Sequence, residues 1–320
     1  MSTEPLHTDS DTLEQLEQPF LALRRQFDAV VEPHRPSLWR YCLRLTGSAW
    51  DAEDLAQDAL LKAFAQLQMV ARARDPRAYL LRMASNLWID TIRRAKPRAD
   101  LDEAADVPVA SADPWPVAAA MDAIVSSLPP RQRVVFLLID GFEFQAGEVA
   151  VMLRISEGAV KAMLHRARAA LRARTELGTP AHDAQTTGAR RAHRVLVDRY
   201  VEALNRRDPE ALVTLFDPVA VNELVGGGEL TGVDKLRVTF ARWGADPRSP
   251  WTEAGVVDGR DVVLVFVPRG TDPKTLTGIV DLLTEGDRII AQRWFHFSPE
   301  LLEHVAATLG VPADAHGHGM

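Results

Sequence analysis

Apolar residues recur every three or four positions through residues 20–98 and again through 117–175, the spacing of helices that each bury one face. Pro33, Pro36, Gly47 and the pair Asp75–Pro76 divide the first stretch into several helices. In DAEDLAQDALLKAF, the inward stripe is Ala52, Leu55, Ala56, Ala59 and Ala63. A later helix, capped by Asp75 and opened by Pro76, carries Leu80, Met83, Ala84 and Leu87 on its buried side. In FEFQAGEVAVMLRISEGAVKAMLHRARAALRA a short helix, a tight turn near Arg154 and Ile155, and a second helix capped by Ser156 give helix-turn-helix spacing, with Val160, Leu164, Ala167 and Leu171 as the buried stripe.

From about residue 190 the period changes. Two helical segments, HRVLVDRYVEALNRR and PEALVTLF, precede strand-like runs: VVLVFVP, then TGIVDLLTE and RIIAQRWFHF joined at Gly286–Asp287 by a hairpin signal. Residues 99–116, with Pro108, Pro114 and Pro116 among acidic and alanine residues, read as a flexible linker. The expected fold is therefore multidomain: an all-α helical bundle over 20–98, an all-α helix-turn-helix domain over 117–175, and an α+β domain over 190–312.

Composition narrows the function classes. The chain has 320 residues and a single cysteine, Cys42, so neither an internal disulfide framework nor a cysteine-based zinc finger is available. The longest apolar runs, VVFLLI and VVLVFV, are far shorter than the ~20 residues of a membrane helix. The acidic start MSTEPLHTDSD lacks the basic region of a signal peptide, and a cytoplasmic protein is expected. The terminal AHGHGM is too weak a signal for a metal site, and no metal or cofactor is implied.

Net charge is −7, which by itself argues against nucleic acid, but the charge is unevenly placed. Residues 72–98 hold eight Arg and Lys against two Asp, a net of +6, and residues 154–174 hold six against one Glu, a net of +5. Acidic blocks at 51–58 and 100–113 carry four and five carboxylates and no basic residue. Separate surfaces for separate partners follow.

Three groups of side chains are candidates for contact. Asp54, Gln57, Asp58 and Leu61 share one face of their helix, where a leucine among acids suits a basic partner, although acids in a first turn also simply offset the helix dipole. Tyr79, Arg82, Asn86, Asp90, Arg93 and Arg94 form an outer stripe whose amide and guanidinium groups can meet base edges and phosphates. On the second helix of the turn motif, Ser156, Glu157, Lys161, His165, Arg166 and Arg168 make a basic flank suited to a major groove, with a solvated face as the plainer alternative.

Taken in order, these segments resemble the extracytoplasmic-function (ECF) sigma factors of bacteria. LWRYCLRLTGSAWDAEDLAQDALLKAF is similar to the family's core-polymerase-binding region, and DPRAYLLRMASNLWIDTIRR to its reader of the minus-ten promoter element. LPPRQRVVFLLIDGFEFQAGEVAVMLRISEGAVKAMLHRARAAL is similar to its minus-thirty-five reader. The resemblance implies a sigma factor that binds core RNA polymerase through Asp54, Gln57, Asp58 and Leu61, meets melted promoter DNA through the Tyr79–Arg94 stripe, and docks upstream through Ser156 to Arg168. Ala162 and Met163 stand where many relatives place a small polar residue and an arginine, and FQAGEVA lacks the more usual serine or threonine cap, so a frayed or differently placed helix start is expected there.

The third region is similar to SnoaL-like cone domains, some of which are isomerases and cyclases. The resemblance implies a regulatory domain with a candidate ligand pocket at Asn222, Asp281, Arg293, Trp294 and His296, no assigned catalysis, and an anti-sigma partner left open. The alternatives are a SnoaL-like enzyme with a DNA-binding front end and a plain helix-turn-helix repressor.

Overall fold

The computed structural model describes residues 10–95, 125, 127–177, 187–270 and 272–314, which form two compact units. The linker expected at 99–116 and the histidine-bearing end lie outside the described residues.

The first unit is helical. Helix α1 (Ser10–Val31) runs into a 3-10 turn at Pro33, and α2 (Arg35–Thr46) has Pro36 in its first turn and ends at Gly47. Gly47 adopts φ +77, a left-handed stop that only glycine takes without steric cost. Helix α3 (Ala49–Ala65) starts at Ser48, whose hydroxyl accepts from the Asp51 N–H, and is followed by the short α4 (Leu67–Ala71). Asp75 caps α5 (Pro76–Ala95), its carboxylate accepting from the Ala78 N–H at 3.1 Å. The predicted stripe of α3 is buried in full, whereas on α5 Trp88 joins the core and Leu87 is only half-buried. Cys42 lies at the centre of α2, fully buried, and burial together with Glu53 pushes its thiol well above the ordinary range.

The later helices of this unit are α6 (Pro130–Phe136), a π turn over Leu137–Gly141, α7 (Ala146–Leu153) and α8 (Glu157–Leu177). They pack onto the earlier ones. Arg133 of α6 is 4% exposed and donates from Nη1 to the Leu45 carbonyl at 2.6 Å and from Nη2 to the Leu128 carbonyl at 3.3 Å, with its guanidinium 5.1 Å from the Trp88 ring centre. Arg77 of α5 lies 5.5 Å from the Phe142 ring and 5.3 Å from the Phe144 ring, and Tyr41 meets Phe142 edge to face at 5.2 Å. This packing has no signature in the hydrophobic pattern, because each stripe can be satisfied within its own group of helices.

Among the described residues, the second unit is a six-stranded sheet with four helices. Helices α9 (Thr187–Asn205) and α10 (Pro209–Val213) precede β1 (Phe216–Leu224) and β2 (Gly228–Thr231), and α11 (Val233–Gly244) follows. Strands β3 (Trp251–Val257), β4 (Arg260–Arg269), β5 (Asp272–Glu285) and β6 (Arg288–Trp294) form a meander before α12 (Pro299–Leu309). The sheet order is β2-β1-β6-β5-β4-β3, with β1 and β6 parallel and the β5–β6 hairpin turning at Gly286–Asp287 as the sequence indicates. Tyr200, Leu204, Phe216, Phe240, Val263, Val265, Val280, Leu282 and Trp294 meet in one core between the sheet and α9, α10 and α11.

Candidate docking and nucleic-acid interfaces

The acidic helix separates its carboxylates by depth. Asp54 and Asp58 are exposed, Gln57 is half-buried, and Leu61 is 67% exposed beside them. Glu53, by contrast, is 1% exposed: its carboxylate accepts from the Trp39 indole N–H at 3.0 Å and from the Gln57 amide at 2.9 Å. The acidic block of the sequence therefore holds one structural acid that ties α2 to α3. At Asp58, partial burial and the neighbouring Asp54 raise the carboxyl pKa, with Arg94 acting the other way. An exposed leucine following two exposed carboxylates along one helix face offers apolar area and selects a cationic partner.

The outer stripe of α5 is assembled as the spacing predicts. Asn86, Asp90, Arg93 and Arg94 are exposed, and Tyr79 and Arg82 are half-buried. Arg82 stacks over the Tyr79 ring at 4.5 Å, while the Tyr79 hydroxyl donates to Gln66 Oε1 at 3.0 Å. Arg93 lies 3.6 Å from Asp90, so that acid orients its neighbour. The stripe thus presents an aromatic ring, an amide and several guanidinium groups on one rigid helix, donors that suit bases and phosphates.

The helix-turn-helix is present, with Arg154 in the left-handed conformation at φ +56 between α7 and α8. Ser156 accepts from the Ala159 N–H at 3.1 Å and so caps α8. The expected fraying of α7 does not occur: Glu148 reaches back to accept from the Gln145 N–H at 2.8 Å, replacing the missing serine or threonine by the other half of a capping box. Glu157, Lys161, His165 and Arg166 are exposed, with Lys161 paired to Glu157 at 2.7 Å. Arg168 is held in a fork by Asp140 at 2.8 and 2.5 Å, which raises its pKa, so it arrives at any phosphate already engaged with a π-turn carboxylate.

In the second unit the candidate pocket residues divide between the faces of the sheet. Asn222 pairs across strands with Gln292, and Gln292 Nε2 donates to Asn222 Oδ1 at 2.8 Å. The Tyr200 hydroxyl donates to Gln292 Oε1 at 2.8 Å, completing a buried polar chain beside Trp294. Trp243 and Trp294 lie 6.0 Å apart, each with a buried indole N–H that has no partner among the described residues.

Asp281 and Arg293 do not join this group. Val280, Leu282 and Trp294 face the core, so strand alternation turns Asp281 and Arg293 to the opposite face. There Asp281 approaches Arg260 at 3.5 Å and Arg293 donates to Glu223 at 2.8 Å. Burial raises the Asp281 pKa while Arg260, Arg293 and His193 restrain the rise. His296 stacks on Trp294 at 5.2 Å and its Nδ1 is 2.9 Å from the Thr277 carbonyl, against Gly278, where any Cβ would strike the imidazole at 2.4 Å. Gln292 and Tyr200 went unnoticed in the sequence, although Gln292, the lone amide in an apolar strand, was a readable signal.

Comparisons with known proteins agree with the arrangement. Residues 30–98 match Sigma-70 region 2, residues 118–171 match Sigma-70, region 4, and residues 197–289 match the SnoaL-like domain. The ECF RNA polymerase sigma factor SigL of Mycobacterium tuberculosis is 36% identical over 152 residues, covering 45% of this chain and 85% of that protein. SigG of the same organism is 32% identical over 231 residues, covering 63% of this chain and 62% of its own length. The chain thus spans less than two thirds of SigG. The crystal structure of the Mycobacterium tuberculosis sigma factor SigJ superposes over 87% of this chain and 97% of its own, at 24% identity and a TM-score of 0.31. With both sigma regions in order and such identity across most of SigL, this chain belongs to the ECF RNA polymerase sigma factors and carries a SnoaL-like domain behind them.

Proposed function

We propose that the protein is a promoter-specificity subunit that binds core RNA polymerase through Asp54, Gln57, Asp58 and Leu61, reads the minus-ten element with the Tyr79–Arg94 stripe and the minus-thirty-five element with the flank from Ser156 to Arg168, and so starts transcription. The observation that carries this reading is Leu61, left 67% exposed one turn beyond Asp58 and two beyond Asp54 on a helix whose other face is buried. Asp54→Lys with Asp58→Lys leaves every buried contact of α3 in place. It is expected to abolish capture of purified core polymerase while preserving the circular dichroism of the chain; undiminished capture refutes the reading.

The two promoter elements named in this reading are separated by roughly 25 base pairs, or ~85 Å of duplex. Helices joined at 2.6 Å through Arg133 and Leu45 cannot reach both at once, so promoter reading requires α6–α8 to part from α2–α5. The SnoaL-like domain acts on this activity in cis. Its relatives' chemistry gives no reason to assign catalysis, since the acid singled out in the sequence, Asp281, faces away from the Tyr200–Gln292–Asn222 chain. Loss of residues 180–320 is expected to change transcription from a cognate promoter with purified core enzyme; identical transcript yields would refute the regulatory role.

A further inference from the structure

Arg154 occupies a position just past the end of α7 where glycine carries no steric penalty and arginine does. Its side chain lines a cavity of about 190 Å³ together with Lys62, Gln66, Arg82, Met83 and Asn86. Three cations from α3, α5 and the α7–α8 turn therefore surround one volume, the remaining lining groups are two amides and a thioether, and no carboxylate is among them. Like charges collected around a common space repel one another, and although Arg82 also rests on the Tyr79 ring, an anion between the three relieves that repulsion. Gln66 Oε1 already accepts from Tyr79, which leaves its amide nitrogen as a donor beside the ammonium and guanidinium groups. A ring of charge-assisted donors with two guanidinium planes suits an oxyanion with several oxygens.

We propose that this cavity is a phosphate site assembled only when α6–α8 pack on α2–α5, and that it takes a small phosphorylated compound. Neither group of helices supplies the three cations alone. A ligand bound there adds to the contacts that hold the packed arrangement and, by mass action, opposes its opening. Binding at the site rests on the packing within this unit, while its effect on opening rests on the promoter reading proposed above, with which it shares Arg82 and Asn86. Phosphate chemistry is also carried by the backbone of single-stranded DNA, and the test separates the two.

Inorganic pyrophosphate titrated calorimetrically into the intact chain is expected to bind. Arg154→Gly, which eases the left-handed turn while removing the charge, is expected to weaken that binding at least tenfold. Lys235→Gln, in the other unit, is expected to leave it unchanged. A ten-nucleotide single strand is expected to bind the wild type and Arg154→Gly alike. No heat of binding with pyrophosphate, an Arg154→Gly affinity equal to wild type, or an equal loss in Lys235→Gln would each overturn the site. A parallel loss of single-strand affinity in Arg154→Gly would assign the cations to the DNA backbone and overturn the proposed ligand.

Discussion

Arg133 places its guanidinium 2.6 Å from the Leu45 carbonyl, at the end of α2, and so fastens a helix of region 4 to a helix of region 2. The group is charged yet buried among neutral partners, and burial pushes its pKa down to about 10. Its Nε has no hydrogen-bond partner among the described residues. Two charge-assisted bonds to carbonyls compensate for the lost hydration.

Replacing Arg133 by alanine removes both bonds and is expected to cost ~1.5–3 kcal/mol, with a smaller loss for Arg133→Lys, which keeps a charge but not the fork. Urea unfolding followed through tryptophan fluorescence, to which Trp88 beneath the guanidinium contributes, checks this. Equal midpoints for wild type and Arg133→Ala would show the fastening to be without weight.

Glu53 predicts a different split. Glu53→Ala deprives the Trp39 indole and the Gln57 amide of their carboxylate and is expected to destabilise the first unit by ~1–3 kcal/mol. Differential scanning calorimetry should show a larger loss for buried Glu53→Ala than for exposed Asp54→Ala, although the sequence presents the two acids side by side.

Asp58 adds a pH dependence. Its carboxyl pKa is raised in the fold, so the native chain holds that proton to higher pH than the unfolded chain does. Ionisation therefore costs the folded state above that pKa and nothing below both values. Asp58→Asn is expected to be the more stable protein at pH 7, by no more than ~0.5 kcal/mol once solvent screening is allowed for, with the advantage vanishing under acid conditions. Urea midpoints at pH 7 and below pH 3 check the sign; a variant less stable than wild type at pH 7 contradicts it. The same substitution is expected to weaken capture of core polymerase, so stability and docking pull in opposite directions at this position.

In the SnoaL-like domain, Gln292→Leu strands the Tyr200 hydroxyl and the Asn222 amide in the core, at an expected cost of ~1–3 kcal/mol. Asp281→Asn, on the opposite face, leaves that chain untouched. Thermal unfolding of the two variants should separate them, and equal melting temperatures would mean the polar chain contributes nothing.

Much of the helical unit was legible in the sequence because its information is local. The stripes of α3 and α5, the Asp75–Pro76 start and the Arg154 turn are each written within a few residues. What escaped depends on residues distant in the chain: Glu53 accepts a hydrogen bond from a tryptophan 14 positions earlier, and Arg133 finds its carbonyl 88 positions away. The face of Asp281 was hidden for another reason. Residues 275–282 of β5 are buried on both sides, so the run has no alternation to show which neighbours look inward. Once Val280 and Leu282 are known to face the core, the parity of Asp281 follows.

Cys42 has a practical corollary. As the chain's one thiol, sealed inside α2 and shifted away from the reactive thiolate, it is silent toward maleimide reagents. Two cysteines introduced on exposed positions of α3 and α8 would take donor and acceptor dyes without background, turning the distance between the helix groups into a fluorescence signal that can be followed as polymerase or DNA is added.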